Sequence, residues 1–295
     1  MKDYLCKAMA CENRVRIYIC SSTSLVEDAR KRFDMWPTSV AALGRVLSIG
    51  SIMGSMLKSD KEQMTIKING NGPIGTILVD AYHDGHVRGF VSDPHQYMTY
   101  NDTGKLAVGL GVGSEGTLEV IKDLGMKENW SGTVNLQSGE IGDDFSYYFS
   151  ASEQTPSVVS VGVLVNPDAS IESAGGLLIQ LMPDAIEEDI VKTEELVKRL
   201  APISSLMKDH ESLEEILHTL YDDVNILETL PIEFRCHCSK ATMKRALCTL
   251  PKETRKAMIE EDHGCEITCH FCNEQYHFSE EELIDLEGFI NEYTN

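Results

Sequence analysis

The stretch Cys236-HCSKATMKRALCTLPKETRKAMIEEDHGCEITCHF-Cys272 decides how this chain is read, because it opens on Cys-x-Cys and closes on Cys-x-x-Cys. Cys236 and Cys238 form the first pair, Cys269 and Cys272 the second, with thirty residues between the pairs. Two short cysteine-bearing turns at that separation can close on one tetrahedral ion, and zinc prefers soft sulfur donors. A permanently structural zinc knuckle is the plain reading of such a site.

The surrounding segment makes a switch chemically feasible. From about Pro231 to Asn295 the larger apolar residues are Phe234, Leu247, Leu250, Met258, Ile259, Ile267, Phe271, Tyr276, Phe278, Leu283 and Phe289, a thin core for an independent module. Modules of this size are marginal without a staple, and structural zinc supplies about 10–16 kcal/mol of apparent folding free energy in small peptides. Both cysteine spacings also allow local disulfides, since residues two apart span at most ~7 Å between Cα atoms. Oxidation would remove all four ligands and return little restraint, because short loops constrain an unfolded chain weakly.

Composition narrows the setting. Nine cysteines in 295 residues, with no apolar signal stretch in Met1 to Arg16, lead us to expect a cytoplasmic protein with free thiols and metal. The formal net charge of −21 opposes phosphate backbones, so no nucleic-acid partner is expected. A 42% hydrophobic fraction is ample for a packed core.

Three parts are expected. Residues 1–182 read as an α+β, antiparallel-rich domain with packed helices. The runs Thr76–Tyr82 and Val87–Val91 flank the turn His83-Asp84-Gly85-His86. Phe145, Tyr147, Phe149 and Ala151 alternate with polar residues as a half-buried strand would, and Val158–Val165 and Leu177–Met182 bracket Asn166-Pro167-Asp168, with a second break at Gly175-Gly176. A helix starting after Pro37, with Thr38 as its cap, carries Val40, Leu43, Leu47, Gly50, Gly54 and Leu57 along one stripe and small residues for close packing. Arg45 and many Ser and Gly residues argue against a membrane span there. Residues 183–230 form an acidic amphipathic helical linker. Ile186, Ile190, Val197 and Leu200 fall on one face and Leu213, Ile216, Leu217 and Leu220 on another, with Ser212 and Glu215 placed as a capping box. Such short helices need a neighbouring surface, and a linker that docks conditionally would expose its apolar stripes on release. Residues 231–295 are the small C-terminal zinc-binding module.

Other constellations carry less. Gly109, Gly111, Gly113 and Gly116 suggest a phosphate loop, but Thr117–Ile121 reads as a strand rather than a helix start. Asp143 and Asp144, read as adjoining a strand, would point to opposite faces, poor geometry for shared acid–base work. No Ser-His-Asp order, Walker motif or H-E-x-x-H occurs, so no catalytic residue is assigned and no enzyme is expected. Cys248, Cys265, His237, His263, His270 and His277 lie beside the four motif cysteines as ordinary core or surface residues, and Cys6, Cys11 and Cys20 read as buried small hydrophobes.

Taken along its whole length, the chain resembles the heat-shock protein 33 family of redox-regulated holdase chaperones. The resemblance runs through Trp36-Pro37-Thr38, Ala41-Ala42-Leu43-Gly44-Arg45, Gly72-Pro73-Ile74-Gly75, Val120-Ile121-Lys122-Asp123-Leu124-Gly125, Ser138-Gly139-Glu140-Ile141, Ser152-Glu153-Gln154-Thr155-Pro156, Gly162-Val163-Leu164-Val165 and Ala174-Gly175-Gly176 to the two cysteine pairs. It implies one zinc ion per chain in the reduced, inactive state and activation when Cys236–Cys238 and Cys269–Cys272 disulfides form. It further implies ATP-independent binding of unfolding client proteins and an oxidised homodimer; no membrane partner is expected, in keeping with the interrupted apolar run around Arg45. A constitutive zinc-ribbon adaptor and a thiol–disulfide oxidoreductase are the alternatives. The adaptor would merely be inactivated by peroxide. The oxidoreductase would carry an activated Cys-x-x-Cys at a helix start.

Overall fold

The computed structural model describes residues 2–286 and resolves the chain into two compact units, Met1–Arg235 and Cys236–Asn295. The first begins with the hairpin β1 (Tyr4–Ala10) and β2 (Val15–Ser21), followed by helices α1 (Thr23–Phe33) and α2 (Pro37–Gly54). Strands β3 (Gln63–Asn69), β4 (Ile77–Tyr82) and β5 (Val87–Val91), the short helix α3 (Val108–Val112), strands β6 (Thr117–Asp123) and β7 (Trp130–Asn135), and helix α4 (Gly142–Ala151) come next. Strands β8 (Ser157–Val165) and β9 (Ile171–Leu181), helices α5 (Glu187–Arg199), α6 (Ile203–Asp209) and α7 (Leu213–Leu220), and strand β10 (Asn225–Pro231) complete it. Two antiparallel five-stranded sheets result, ordered β10-β1-β2-β9-β8 and β5-β4-β3-β6-β7.

Helix α2 packs against strands of both sheets, which explains its composition. From Thr38 to Gly54 every residue except Arg45 is buried, so the single expected stripe becomes an apolar surface all round. Close approach demands small residues: a Cβ at Gly44 would lie 2.7 Å from a Val26 methyl and 2.8 Å from one of Val163. Thr38 does not cap this helix. Pro37 supplies the preset first-turn geometry, while Thr38 Oγ1 donates to the Met98 carbonyl at 3.0 Å and accepts the Met98 N–H at 2.8 Å. Among the described residues no helix is long and apolar enough to cross a membrane.

Three local expectations fail for identifiable reasons. The alternating run at residues 145–151 is helix α4, not a strand. Its buried residues are Asp144, Phe145, Tyr148 and Phe149, a helical spacing, and Tyr147 is exposed. Asp144 drives that choice. Its carboxylate accepts backbone N–H groups from Gln137 at 2.7 Å, Ser138 at 3.1 Å, Gly139 at 3.3 Å and Ile141 at 2.9 Å, organising the loop that leads into the helix. Gly175-Gly176 does not break a strand but lies inside β9. A Cβ at Gly175 would meet the Cys20 carbonyl oxygen at 2.5 Å, and one at Gly176 would press on Ile52 and Ser48 of α2 at 3.3–3.4 Å. Ile186 and Val197 are exposed, whereas α5 buries Asp189, Thr193 and Leu196. That rotation follows from polar anchors: Asp189 meets Arg14, and Thr193 Oγ1 lies 2.9 Å from the Tyr221 hydroxyl.

The apolar stripe of the next helix, α7, falls where expected, but the end of the expected helical segment lies in strand β10, Asn225–Pro231, instead, because it pairs antiparallel with β1. Leu213, Ile216, Leu217 and Leu220 are all buried, and Ser212 Oγ accepts the Glu215 N–H at 3.2 Å. Glu215 itself takes the Glu211 N–H at 3.1 Å, one residue earlier than a reciprocal capping box requires. Helices α5–α7 cover one face of the first sheet, where Leu196, Ile203, Met207 and the α7 leucines close over Ala8, Ile17, Ile19, Leu177 and Ile179. The glycines around α3 are a packing device. The carbonyls of Gly111 and Val112 accept N–H groups of Ile74 and Gly72 at 3.0 and 2.9 Å, and a strand, β6, follows as expected.

The second unit holds α8 (Lys240–Cys248), α9 (Lys252–Glu260) and the hairpin β11 (Gly264–Thr268) and β12 (Gln275–Ser279). Among the described residues its buried apolar core is Leu247, Phe278, Leu283 and Leu286. Phe234, counted with this module from the sequence, belongs to the first unit, where its ring lies 5.1 Å from the Arg32 guanidinium. Phe289 lies outside the described residues.

Candidate metal centre

Each cysteine pair is placed by a short, hydrogen-bonded element. Cys236 and Cys238 precede α8, whose first turn is fixed by Ser239 Oγ accepting the Thr242 N–H at 3.2 Å. Cys269 and Cys272 occupy the turn joining β11 to β12. There the Cys269 N–H donates to the Glu274 carbonyl at 2.9 Å, and the Cys269 carbonyl accepts the N–H groups of Cys272 and Asn273 at 3.3 and 2.8 Å. Asn273 closes the turn in the left-handed region, at φ 60°.

The four sulfurs lie within 4.8 Å of one another. Cys236 Sγ is 3.8 Å from Cys269 Sγ, and Cys238 Sγ is 3.3 Å from Cys272 Sγ. A tetrahedron of sulfurs about 2.3 Å from a central zinc has edges of about 3.8 Å, so the donor set fits zinc in both chemistry and size. Cys269 and Cys272 are buried, Cys236 and Cys238 half-buried. Burial pushes both the Cys269 and the Cys272 thiols above the ordinary range; the sulfurs of Cys236, Cys238 and Cys269 push Cys272 the same way, whereas at Cys269 the Cys236 sulfur pushes up and the contact with Cys272 pulls down. The backbone N–H groups of Phe271 and Glu274 act in the opposite direction on Cys269 and Cys272. Four thiolates at this spacing need a cation to coexist.

Tyr276 is a member of the site that sequence reading treated only as an apolar residue. Its hydroxyl donates to Cys238 Sγ at 3.2 Å, and that contact, with burial, raises the phenol well above its usual range. Its place two residues into β12 gave a parity but no partner. The other candidates stand apart from the sulfur group among the described residues. Cys248 Sγ lies 3.3 Å from the Lys244 carbonyl, Cys265 packs at the edge of the small core, and His263 and His277 face Glu280 and Glu266 at 3.0 and 3.2 Å. Asp143 and Asp144 do not form a carboxylate pair. Asp144 is buried against backbone N–H groups, while Asp143 accepts the Ser138 hydroxyl at 2.9 Å.

Comparison with known proteins agrees with this architecture over nearly the full chain. Residues 3–279 match the model of the Hsp33 protein family. The 33 kDa chaperonin of Oceanobacillus iheyensis is 51% identical over 97% of this chain and 100% of its own, and that of Halalkalibacterium halodurans is 50% identical over 97% and 99%. The crystal structure of the 33 kDa chaperonin, heat shock protein 33 homologue, from Thermotoga maritima is 33% identical and superposes with a TM-score of 0.91, covering 99% of this chain and 100% of that one. These relatives are named as chaperonins, not enzymes. The α+β chain with its metal-competent cysteine cluster therefore belongs to the Hsp33 family and is a chaperone of that type.

Proposed function

We propose that this protein is a redox-regulated, ATP-independent holdase of the cytoplasm. Cys236, Cys238, Cys269 and Cys272 hold one zinc ion in the reduced, inactive state, where it supplies the cross-link that the small apolar core seen among the described residues of the second unit lacks. Oxidation joins Cys236 to Cys238 and Cys269 to Cys272. Each new S–S bond sends two electrons to a peroxide, which takes up two protons from solvent and leaves as two waters, and no ligand thiolate remains. In the three-part organisation we propose, the module of residues 231–295 then loosens, and so does the linker of residues 183–230. The apolar sheet face under α5–α7 becomes available to unfolding client proteins, and the oxidised chain dimerises. Nucleic acid and membranes are not partners in this scheme.

The observation that carries the reading is the convergence of four sulfurs within 4.8 Å in a unit with so small a core. A dithiol oxidoreductase fits less well, because Cys269 and Cys272 are only 6% and 3% exposed and sit in a hairpin turn rather than at a helix start. The test is light scattering of a heat-unfolded client with zinc-loaded protein added either reduced or after mild peroxide. Suppression by the oxidised sample alone, reversed by thiol reductant, is expected. Equal behaviour of the two samples would leave a structural zinc adaptor.

A further inference from the structure

Three cysteines of the first unit take no part in the metal centre, and the pleat of the first sheet sorts them by face. On β1 and β2, Cys6 pairs with Ile19 while Leu5 pairs with Cys20, so the Cys6 and Cys20 side chains point to opposite sides. Cys20 faces α2, with its Sγ 3.5 Å from the Ser48 carbonyl oxygen. Cys6 faces the acidic helices. Its side chain is wholly buried and its Sγ lies 3.7 Å from Glu214 Oε1 of α7, whose other oxygen accepts the Tyr4 hydroxyl at 2.6 Å. Cys11, in the β1–β2 turn, is 6% exposed and belongs to the same apolar cluster, beside Asp189 and Lys192 of α5. One cover, the segment carrying α5–α7, therefore shields two thiols, and a different helix shields the third.

We propose that Cys6 and Cys11 are gated modification sites that take a low-molecular-weight disulfide once α5–α7 leave the sheet, a step that rests on the linker release proposed above. Chemically, the exposed thiolate attacks one sulfur of R–S–S–R, a Cys–S–S–R bond forms, and R–S⁻ departs and takes up the proton that the cysteine lost to solvent. In the closed form both access and ionisation forbid this. Burial, reinforced by Glu214, pushes the Cys6 thiol up to about 12, and lifting α7 removes both influences together. The adduct has a structural consequence. A group attached to a side chain with no exposed surface occupies the space of α7, so the segment stays off the sheet until the mixed disulfide is reduced.

The experiment uses the full chain, zinc-loaded and either reduced or treated briefly with peroxide that is then destroyed. Both samples are incubated with oxidised glutathione, quenched with acid, and read at each cysteine by peptide mass spectrometry, with client aggregation followed on the same samples. The expected result is a rise of roughly a hundredfold in glutathione adduct at Cys6 and Cys11 on oxidation, with Cys20 at background. Cys6 and Cys11 left unmodified in a sample that suppresses aggregation overturns the proposal and spares the holdase reading. Equal modification of Cys20 also overturns it, since the whole domain would then have opened. Modification of Cys6 and Cys11 without aggregation suppression upholds the gating and refutes the holdase. As a second handle, Asp189→Asn should raise the adduct at Cys6 and Cys11 without peroxide, again with Cys20 protected.

Discussion

Arg14 holds Asp189 through two charge-assisted hydrogen bonds, Nε to Oδ2 at 2.6 Å and Nη2 to Oδ1 at 3.3 Å, and so ties the β1–β2 turn to the first turn of α5. The Asp189 side chain is 5% exposed and also accepts the Ile186 N–H at 3.1 Å, so one carboxylate both anchors and starts the helix. The guanidinium holds that carboxyl below its ordinary range.

Asp189→Asn should loosen this anchor while leaving the apolar contacts of α6 and α7 in place. In the reduced, zinc-loaded protein, trypsin should cut at Lys192 and Lys198 roughly fivefold faster or more. Unchanged cleavage kinetics would mean that the apolar contacts alone dock the segment.

Asp144→Ala should be among the more damaging single changes in the first unit. It strands four backbone N–H groups around a fully buried position, at a cost of about 2–4 kcal/mol and some 2–4 °C of melting temperature per kcal/mol. A calorimetric shift under a degree would refute the capping role.

Chelation of metal from the reduced protein should erase amide protection across β11 and β12 while β2 and β9 stay protected, because among the described residues the buried apolar core of the second unit is small, Leu247, Phe278, Leu283 and Leu286. Cys269→Ser should act in the same direction. It should also raise protease sensitivity across Lys192–Lys208 without oxidant, and unchanged resistance there would sink the coupling between module and linker.

Glu27 predicts an acid limb. Its carboxyl is held at about 2 rather than 4.5, chiefly by the Arg30 guanidinium, and it accepts the Ile171 N–H at 3.1 Å, joining α1 to β9. A depressed carboxylate stabilises the fold fully above its unfolded value and ceases to as pH falls through the folded one. This contribution, about 1–2 kcal/mol after solvent screening, is therefore lost between pH 4.5 and 2. Urea midpoints of wild type and Glu27→Gln should differ at pH 7 and converge near pH 2.

The cysteine site was legible because ligand type and spacing are local properties of a sequence. The β4–β5 hairpin was equally plain, since Gly85 meets the positive φ of 83° that its turn requires. Helix α4 was not, because Tyr147 and Ala151 imitate strand alternation and only the approach of residues 137–141 reveals what Asp144 does. The true buried face of α5 was hidden for the same reason: its anchors, Arg14 and Tyr221, are distant in the chain. Apolar periodicity alone selected Ile186 and Val197, which the fold leaves exposed.

Strand β1 lies between β2 and β10, and its pairing of Tyr4 with Pro231 joins positions more than two hundred residues apart. On the ribosome, β1 and β2 emerge early, yet the outer partner of β1 is among the last parts of the first unit to be made. Until α5–α7 and β10 have left the exit tunnel, the nascent chain presents the same apolar sheet face that we propose oxidation uncovers. Biosynthesis thus takes every copy through an open form, and the cysteine pairs arrive only after the segments that close it.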